Sequence, residues 1–425
     1  ADADNLIGGT GADTFAATSA DITGLAETIS GGGGSDVLAL NGGGAFDLSS
    51  ATLNSIELIS GSASADSITG TSAADAINAG DGANLVSGGA GADNLIGGSG
   101  ADTFAATSAD ITGLAETISG GGGSDVLALN GGGAFNLSSA TLNSIELISG
   151  SASADSITGT SAADTINAGD GANLISGGAG ADNLIGGTGA DTFAATSADI
   201  TGLAETISGG TGTDVLALNG GGAFDLSSAT LNSIELISGS ASADSITGTS
   251  GADTINAGDG ANMISGGAGA DNLIGGTGAD TFAATSADIT GLAETISGGA
   301  GTDVLALNGG GAFNLSSATI DGIELISGSA SADSITGTSA ADAINAGDGA
   351  NLISGGAGAD NLIGGTGADT FAATSADITG LAETISGGTG TDVLALNGGG
   401  AFDLSSATID GIELISGSAS ADSIT

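Results

Sequence analysis

The chain has 425 residues, with 49 Asp and Glu and no Lys, Arg or His, giving a formal net charge of −49. With no basic side chain to meet phosphate, nucleic acid and anionic membrane surfaces are excluded as partners. No apolar run approaches the ~18 residues of a membrane-spanning helix, so direct membrane insertion is not expected. An internal salt bridge to a basic side chain is impossible. A compact fold therefore requires the carboxylates to be spread out, protonated or neutralised by outside cations.

Acidity with few aromatics ordinarily signals disorder. Here 40% of residues are apolar, mean hydropathy is +0.35, and there are 84 Gly and no Pro. Ile, Leu and Val recur at regular intervals, as a buried core demands. Cysteine is absent, which removes disulfide and thiolate chemistry.

Repetition organises everything else. Phe15, Phe104, Phe193, Phe282 and Phe371 recur every 89 residues without insertion or deletion, and Phe46, Phe135, Phe224, Phe313 and Phe402 keep the same spacing. The expected organisation is one continuous array over residues 1–425, in registers 1–14, 15–103, 104–192, 193–281, 282–370 and 371–425. The first and last registers are partial, so the sequence reads as a window from a longer array.

In chain order, the first element of the unit is the strand-like run at Phe15, a core filler. ADITGLAETI follows and suggests a short helix, with Asp21 and Glu27 as solvated loop acids. GGGGSDVLA at 31–39 is a glycine turn running into a strand. The stretch LNGGGAFDLSSATLNSIELIS at 40–60 is looser and is expected to form a wider coil with bulging loops. Phe46 fills core there, Asp47 is replaced by Asn136 and Asn314 in other copies, and Glu57 sits at an outward strand position.

From 61 to 105 the chain runs as five nonapeptides: GSASADSIT, GTSAADAIN, AGDGANLVS, GGAGADNLI and GGSGADTFA. The eighth position is always apolar (Ile68, Ile77, Val86, Leu95, Phe104), the sixth is Asp except at Asn84, and the first is Gly except at Ala79. A period of nine fits no helix. It fits a turn of about six residues, where glycine permits tight backbone geometry, followed by a strand of about three. Two nonapeptides make one coil of roughly 18 residues, and coils stack at ~4.8 Å as parallel strands.

GGAGADNLI and GGTGADTFA resemble the repeats-in-toxin (RTX, hemolysin-type) nonapeptide, G-G-x-G-x-D-x-U-x, in which U is a large apolar residue. The wider mixture of GTDVL, FDLSS and IELISG strings is similar to surface-layer proteins and large adhesins of that family. The resemblance implies an all-β fold, a right-handed parallel β-solenoid (β-roll or β-helix) that binds Ca²⁺ between successive turns. It also implies type I secretion, in the manner of Gram-negative bacteria, and folding outside the cell.

Ca²⁺ takes six to eight oxygen ligands. The bared carbonyls of a glycine turn and the sixth-position carboxylate are of that kind, and several ions per repeat are expected. The sites expected from the well-matched turns use Asp4, Asp13, Asp36, Asp93, Asp102, Asp125, Asp182, Asp191, Asp214, Asp271, Asp280, Asp303, Asp360, Asp369 and Asp392. Turns lacking the second glycine, and all but that of Asp253 the fourth as well, give Asp66, Asp75, Asp155, Asp164, Asp244, Asp253, Asp333, Asp342 and Asp422. The AGDGAN turns, altered by Asn at the sixth position, add Asp81, Asp170, Asp259 and Asp348. The competing reading is that these aspartates only cap their turns through nearby amides.

Every carboxylate recurs in every copy, and no His, Cys, Lys or Tyr is present to act as base or nucleophile. Neither catalytic nor organic-cofactor residues are expected. The sequence reads as a structural protein at the cell surface or outside the cell, self-associating into a filament, biofilm-matrix fibre or surface layer. The alternative is the extender of a giant RTX adhesin whose ligand-binding domain lies elsewhere.

Overall fold

The computed structural model describes residues 3–290 and 292–425. It divides into two compact units. One holds residues up to 199 with 203–216 and 230–234, and the other holds 200–202, 217–229 and 235–425. Each unit is a parallel β-solenoid whose coils match those of a right-handed β-roll.

In the first unit, the short strands Ala76–Asn78, Asn94–Ser99, Thr117–Gly122 and Thr141–Asn143 pair in succession, with Ile77 opposite Leu95, Leu95 opposite Ile118 and Ile118 opposite Leu142. A second sheet stacks Asp66–Thr69, Leu85–Ser87, Thr103–Ala106 and Val126–Leu129, with Ile68, Val86, Phe104 and Leu127 in register. The second unit repeats the pattern, from Ile255 through Leu273 to Ile296 and from Ile246 through Ile264 to Phe282. Coils within the nonapeptide run therefore advance by the expected 18 residues.

The eighth-position side chains form the core. Ile68, Ile77, Val86, Leu95, Phe104 and Leu38 are all at most 4% exposed. Burying each such side chain contributes about 1.5–3 kcal/mol. The Phe46 class is equally buried.

The looser segments widen the coil while keeping the ladder. Phe104 pairs with Leu127 and Leu95 with Ile118, a step of 23 residues. The additional residues carry a four-residue helix, Ser108–Ile111, that buries Ile111. It starts earlier than the ADITGLAETI reading places it, because Thr107 and Asp110 form a capping box around its first turn. The same helix occurs at Ser19–Ile22, Ser286–Ile289 and Ser375–Ile378. Among the described residues no helix is long and apolar enough to cross a membrane.

One feature of the ladder escapes the repeat pattern. In the coil 40–60, Thr52–Asn54 pairs back to Thr28–Gly33, whereas Gly44–Asp47 pairs forward to Asp66–Thr69. One sheet ends there and a new one begins. In the next copy the break, at Thr141–Asn143 and Gly133–Asn136, falls on the opposite sheet. The cause is arithmetic. One 89-residue unit places inward residues at Phe15, Ile29, Leu38, Phe46, Ile59, Ile68, Ile77, Val86 and Leu95, an odd number of half-coils. Successive copies therefore exchange faces.

Candidate metal centre

The residue two places before each inward side chain lies where the chain leaves a turn to enter a strand. Parallel stacking superposes these positions, so the acids fall into columns. Beyond the first member of each run, a side-chain oxygen accepts the backbone N–H of the corresponding residue one coil earlier. In one column Asp75 N–H donates to Asp93 Oδ1 at 2.8 Å and Asp93 N–H to Glu116 Oε2 at 2.9 Å. In the other, Asp66 donates to Asn84 Oδ1 (2.9 Å), Asn84 to Asp102 Oδ1 (2.8 Å), Asp102 to Asp125 Oδ1 (2.7 Å), and Asp125 to Glu146 Oε2 (2.7 Å).

The second carboxylate oxygen is the chemically informative one. Asp102 Oδ2, Asp125 Oδ2 and Glu116 Oε1 are buried and accept no hydrogen bond, as are their counterparts in Asp191, Asp280, Asp303, Asp369 and Asp392 for the aspartates and Glu205, Glu294 and Glu383 for the glutamate. A buried charged acceptor left in this way costs more than the ~1–3 kcal/mol of a neutral one. The first-position glycine makes the close approach possible. A Cβ at Gly88 would collide with the Asp93 carboxylate, and one at Gly97 with that of Asp102. Gly89, at φ +87°, turns the backbone in a region that other residues rarely adopt.

Burial pushes the carboxyl of Asp93 up to about 6 and that of Glu116 up to about 7; the accepted amide opposes each shift, and repulsion from Asp75 and Asp110 adds to the first and from Asp93 and Asp110 to the second. Asp182 reaches about 6, and Glu205, Glu294 and Glu383 about 7, for the same reasons. Asp102 and its copies shift upward too, chiefly by desolvation.

The expected ligands separate into groups. Asp36, Asp93, Asp102, Asp125, Asp271 and Asp360 are buried in the columns. Asp13 is half-buried with a free Oδ2, and Asp4 is exposed, with its N–H on Glu27. Asp75, Asp164, Asp253 and Asp342 each accept the N–H and hydroxyl of Thr71, Thr160, Thr249 and Thr338 in their own turn, which is the capping geometry. Asp66, Asp155, Asp244, Asp333 and Asp422 likewise accept a serine N–H, yet Asp66, Asp155 and Asp333 also keep a buried, unpartnered Oδ1. The Asp81 class stays at the surface, where Ser99, Thr188, Thr277 and Thr366 donate to Asp81, Asp170, Asp259 and Asp348.

One class of acid departs from the expectation, and a second makes a bond that was not expected. Glu27 is not a solvated loop acid. It is 3% exposed and its copies 3–4%, because the wide coil carries it into the column in place of an aspartate. Glu57 is exposed, as expected, but its Oε2 accepts Asp36 N–H at 2.6 Å. The signal lay in the spacing: Glu27-Thr28-Ile29 and Glu57-Leu58-Ile59 repeat the acid-x-apolar step of Asp93-Asn94-Leu95 without its glycines. Asp21 caps the helix through Thr18 N–H and hydroxyl, at 2.9 and 2.7 Å.

These donors suit a hard cation. Every side-chain donor in the columns is oxygen, and carboxylate oxygens without partners stand beside glycine backbone. Among the described residues no three acids converge on one point, so an ion held in a turn would draw on backbone carbonyls. The profile of the RTX calcium-binding nonapeptide repeat matches residues 1–19, 54–104, 143–193, 232–282 and 319–371, more than half of the chain. The chain belongs to this family. Its repeats are calcium-binding, and its β-solenoid is a structural fold. The unmatched stretches are the wide coils bearing the helix and the ladder break. No curated protein matches the chain.

Proposed function

We propose that this RTX chain is a secreted, non-catalytic structural protein whose calcium-loaded coils build an extracellular filament, biofilm-matrix fibre or surface layer. The observation that carries the reading is the column of buried carboxylates with unpartnered oxygens in a chain with no basic residue. Such columns favour an unfolded chain where calcium is scarce, as inside a cell, and a folded one where calcium is millimolar. Folding coupled to metal in this way suits export as an unfolded chain by a type I system of a Gram-negative bacterium. Near-identical units favour uniform one-dimensional stacking, and calcium between acidic faces would favour self-association.

Electron microscopy of the purified protein in millimolar calcium and in chelator tests the reading. Long thin fibres that bundle only with calcium are expected. Monodisperse short rods in calcium would sink the fibre and favour the extender of a large adhesin.

A further inference from the structure

In each strand the residues on either side of the inward side chain point away from the core, and stacking lines them up in two outward rows. In the first unit one row runs Ser67, Leu85, Thr103, Val126 and Leu147, in register from coil to coil. Between Ser67 and Ser149 neither row carries an acid, because the acids of these coils sit in turns, at turn exits and on the inserted helix. A chain of net charge −49 thus presents an uncharged face.

Leu85 is 45% exposed on that face, whereas Val86 beside it is fully buried. Its copies keep the property even where the residue changes: Leu174 is 46% exposed, Met263 53% and Leu352 45%. Each lies between a serine one coil before it and a threonine one coil after. A shallow groove of about 500 Å³ runs beside Leu85 over Ala83, Ala101 and Thr103, and the one acid in its lining, Asp66, is almost fully buried. Because successive copies exchange faces, Leu85 and Leu174 stand on the two different sheets of the first unit, as Met263 and Leu352 do in the second.

We propose that these outward rows are the surface on which a second copy of this chain packs, sheet face against sheet face, with Leu85, Leu174, Met263 and Leu352 as the anchors. Charge selects the occupant. Two such chains meeting turn to turn bring carboxylates together. Meeting face to face, they touch through uncharged side chains, with the sheets about 10 Å apart and the acids at the flanks, where calcium screens them. The exposed anchor of one copy enters the groove beside the anchor of the other. With an anchor on each sheet, one face stays free after the other is used, so pairing continues into side-by-side arrays instead of closing as a dimer.

The inference rests on the proposed self-association but not on growth end to end. The test uses the full chain in millimolar calcium. Leu85→Thr, Leu174→Thr, Met263→Thr and Leu352→Thr are made together; threonine already occupies the next position of each row, so the strands accept it. Circular dichroism checks that the β signal is kept, and sedimentation over a concentration series, with electron microscopy, reads the association. The unsubstituted chain is expected to associate side by side, and the variant to need about tenfold higher concentration to do so. Equal association of the two at equal calcium would show that calcium bridges between acidic turns hold the copies, and would overturn the proposal. An unsubstituted chain that stays single in width, even in long fibres, would also overturn it while leaving the fibre reading standing. Short rods paired side by side, and unpaired in the variant, would support it and sink the fibre. Should the threonine variant lose its β signal, the same four changes to alanine, the residue that Ala45 places in this row, are read in the same way.

Discussion

Asn84 and Asp102 hold the same turn position one coil apart, both almost fully buried, and differ by an amide for a carboxylate. Asn84 is complete. Its Oδ1 accepts Asp66 N–H, and its Nδ2 donates to the carbonyls of Gly82 and Gly97 at 3.2 and 3.3 Å. Asp102 makes the same bond through Oδ1, to Asn84 N–H, and leaves Oδ2 without a donor. Asn173, Asn262 and Asn351 repeat the closed arrangement. The turn has a place for positive hydrogen or positive charge. Asparagine fills it with its own NH₂ group, whereas aspartate must be supplied from outside.

The largest expected effect follows from how few turns are closed. Chelation at neutral pH leaves the asparagine turns intact and every aspartate column uncompensated, so the β circular-dichroism signal should collapse and return with millimolar calcium. An identical, cooperative spectrum in both conditions would show that the aspartate turns need no outside cation.

Protonation is the second way to supply the missing partner. The folded-state carboxyls of Glu116 and Asp93 sit at about 7 and about 6, raised from 4.5 and 3.8. The fold therefore binds protons more tightly than the unfolded chain does. The stability this contributes is complete below about pH 4 and is lost as pH rises through 6 to 7. In chelator, the β signal should grow as pH falls from about 7.5 to about 5. Calcium should flatten that dependence. A chain that unfolds further on acidification in chelator would contradict it.

Exchanging the two turn types sharpens the comparison directly. Asn84→Asp removes two amide hydrogen bonds and buries a charge, so in chelator it should destabilise the fold by about 1–3 kcal/mol and, in calcium, add an ion to the count. Asp102→Asn should do the reverse, lowering the calcium count while making that turn less sensitive to chelator. Thermal melts with and without calcium, alongside calorimetric titration, read both. Equal behaviour of the two variants would mean that the sixth-position side chain does not determine which turns take an ion.

Much of this is legible in the sequence. The period of nine, the inward eighth position and the 18-residue coil follow from glycine turns and apolar spacing alone, and Leu95 does lie over Ile77. The closed turns were less visible. Asn84 registers in the sequence as a defect in a calcium motif, and only its geometry reveals a side chain bonded to two carbonyls. The glutamates were hidden differently. Without flanking glycines Glu27 looks like a loop acid, and what buries it is the stacking of Ile29 on neighbouring coils, a long-range effect. The alternating ladder break depends on counting half-coils through segments whose strands have no fixed period.

The smallest expected effect lies outside the columns and serves as their control. Asp47 is an acid in the same repeat, but its Oδ1 accepts Ser49 N–H at 3.0 Å on an exposed turn, and the Ser49 side chain, with that N–H, holds its carboxyl below the usual range. Asn136 makes the equivalent bond to Ser138 N–H at the same 3.0 Å. An amide therefore does here what the carboxylate does, with nothing buried and no oxygen stranded. Asp47→Asn and Asp225→Asn together should shift stability by less than about 0.5 kcal/mol and leave the calcium count unchanged. The Asp102→Asn exchange, chemically identical, should change both. If the two exchanges cost the same number of ions, charge alone would govern calcium uptake and the buried columns would have no special part in it.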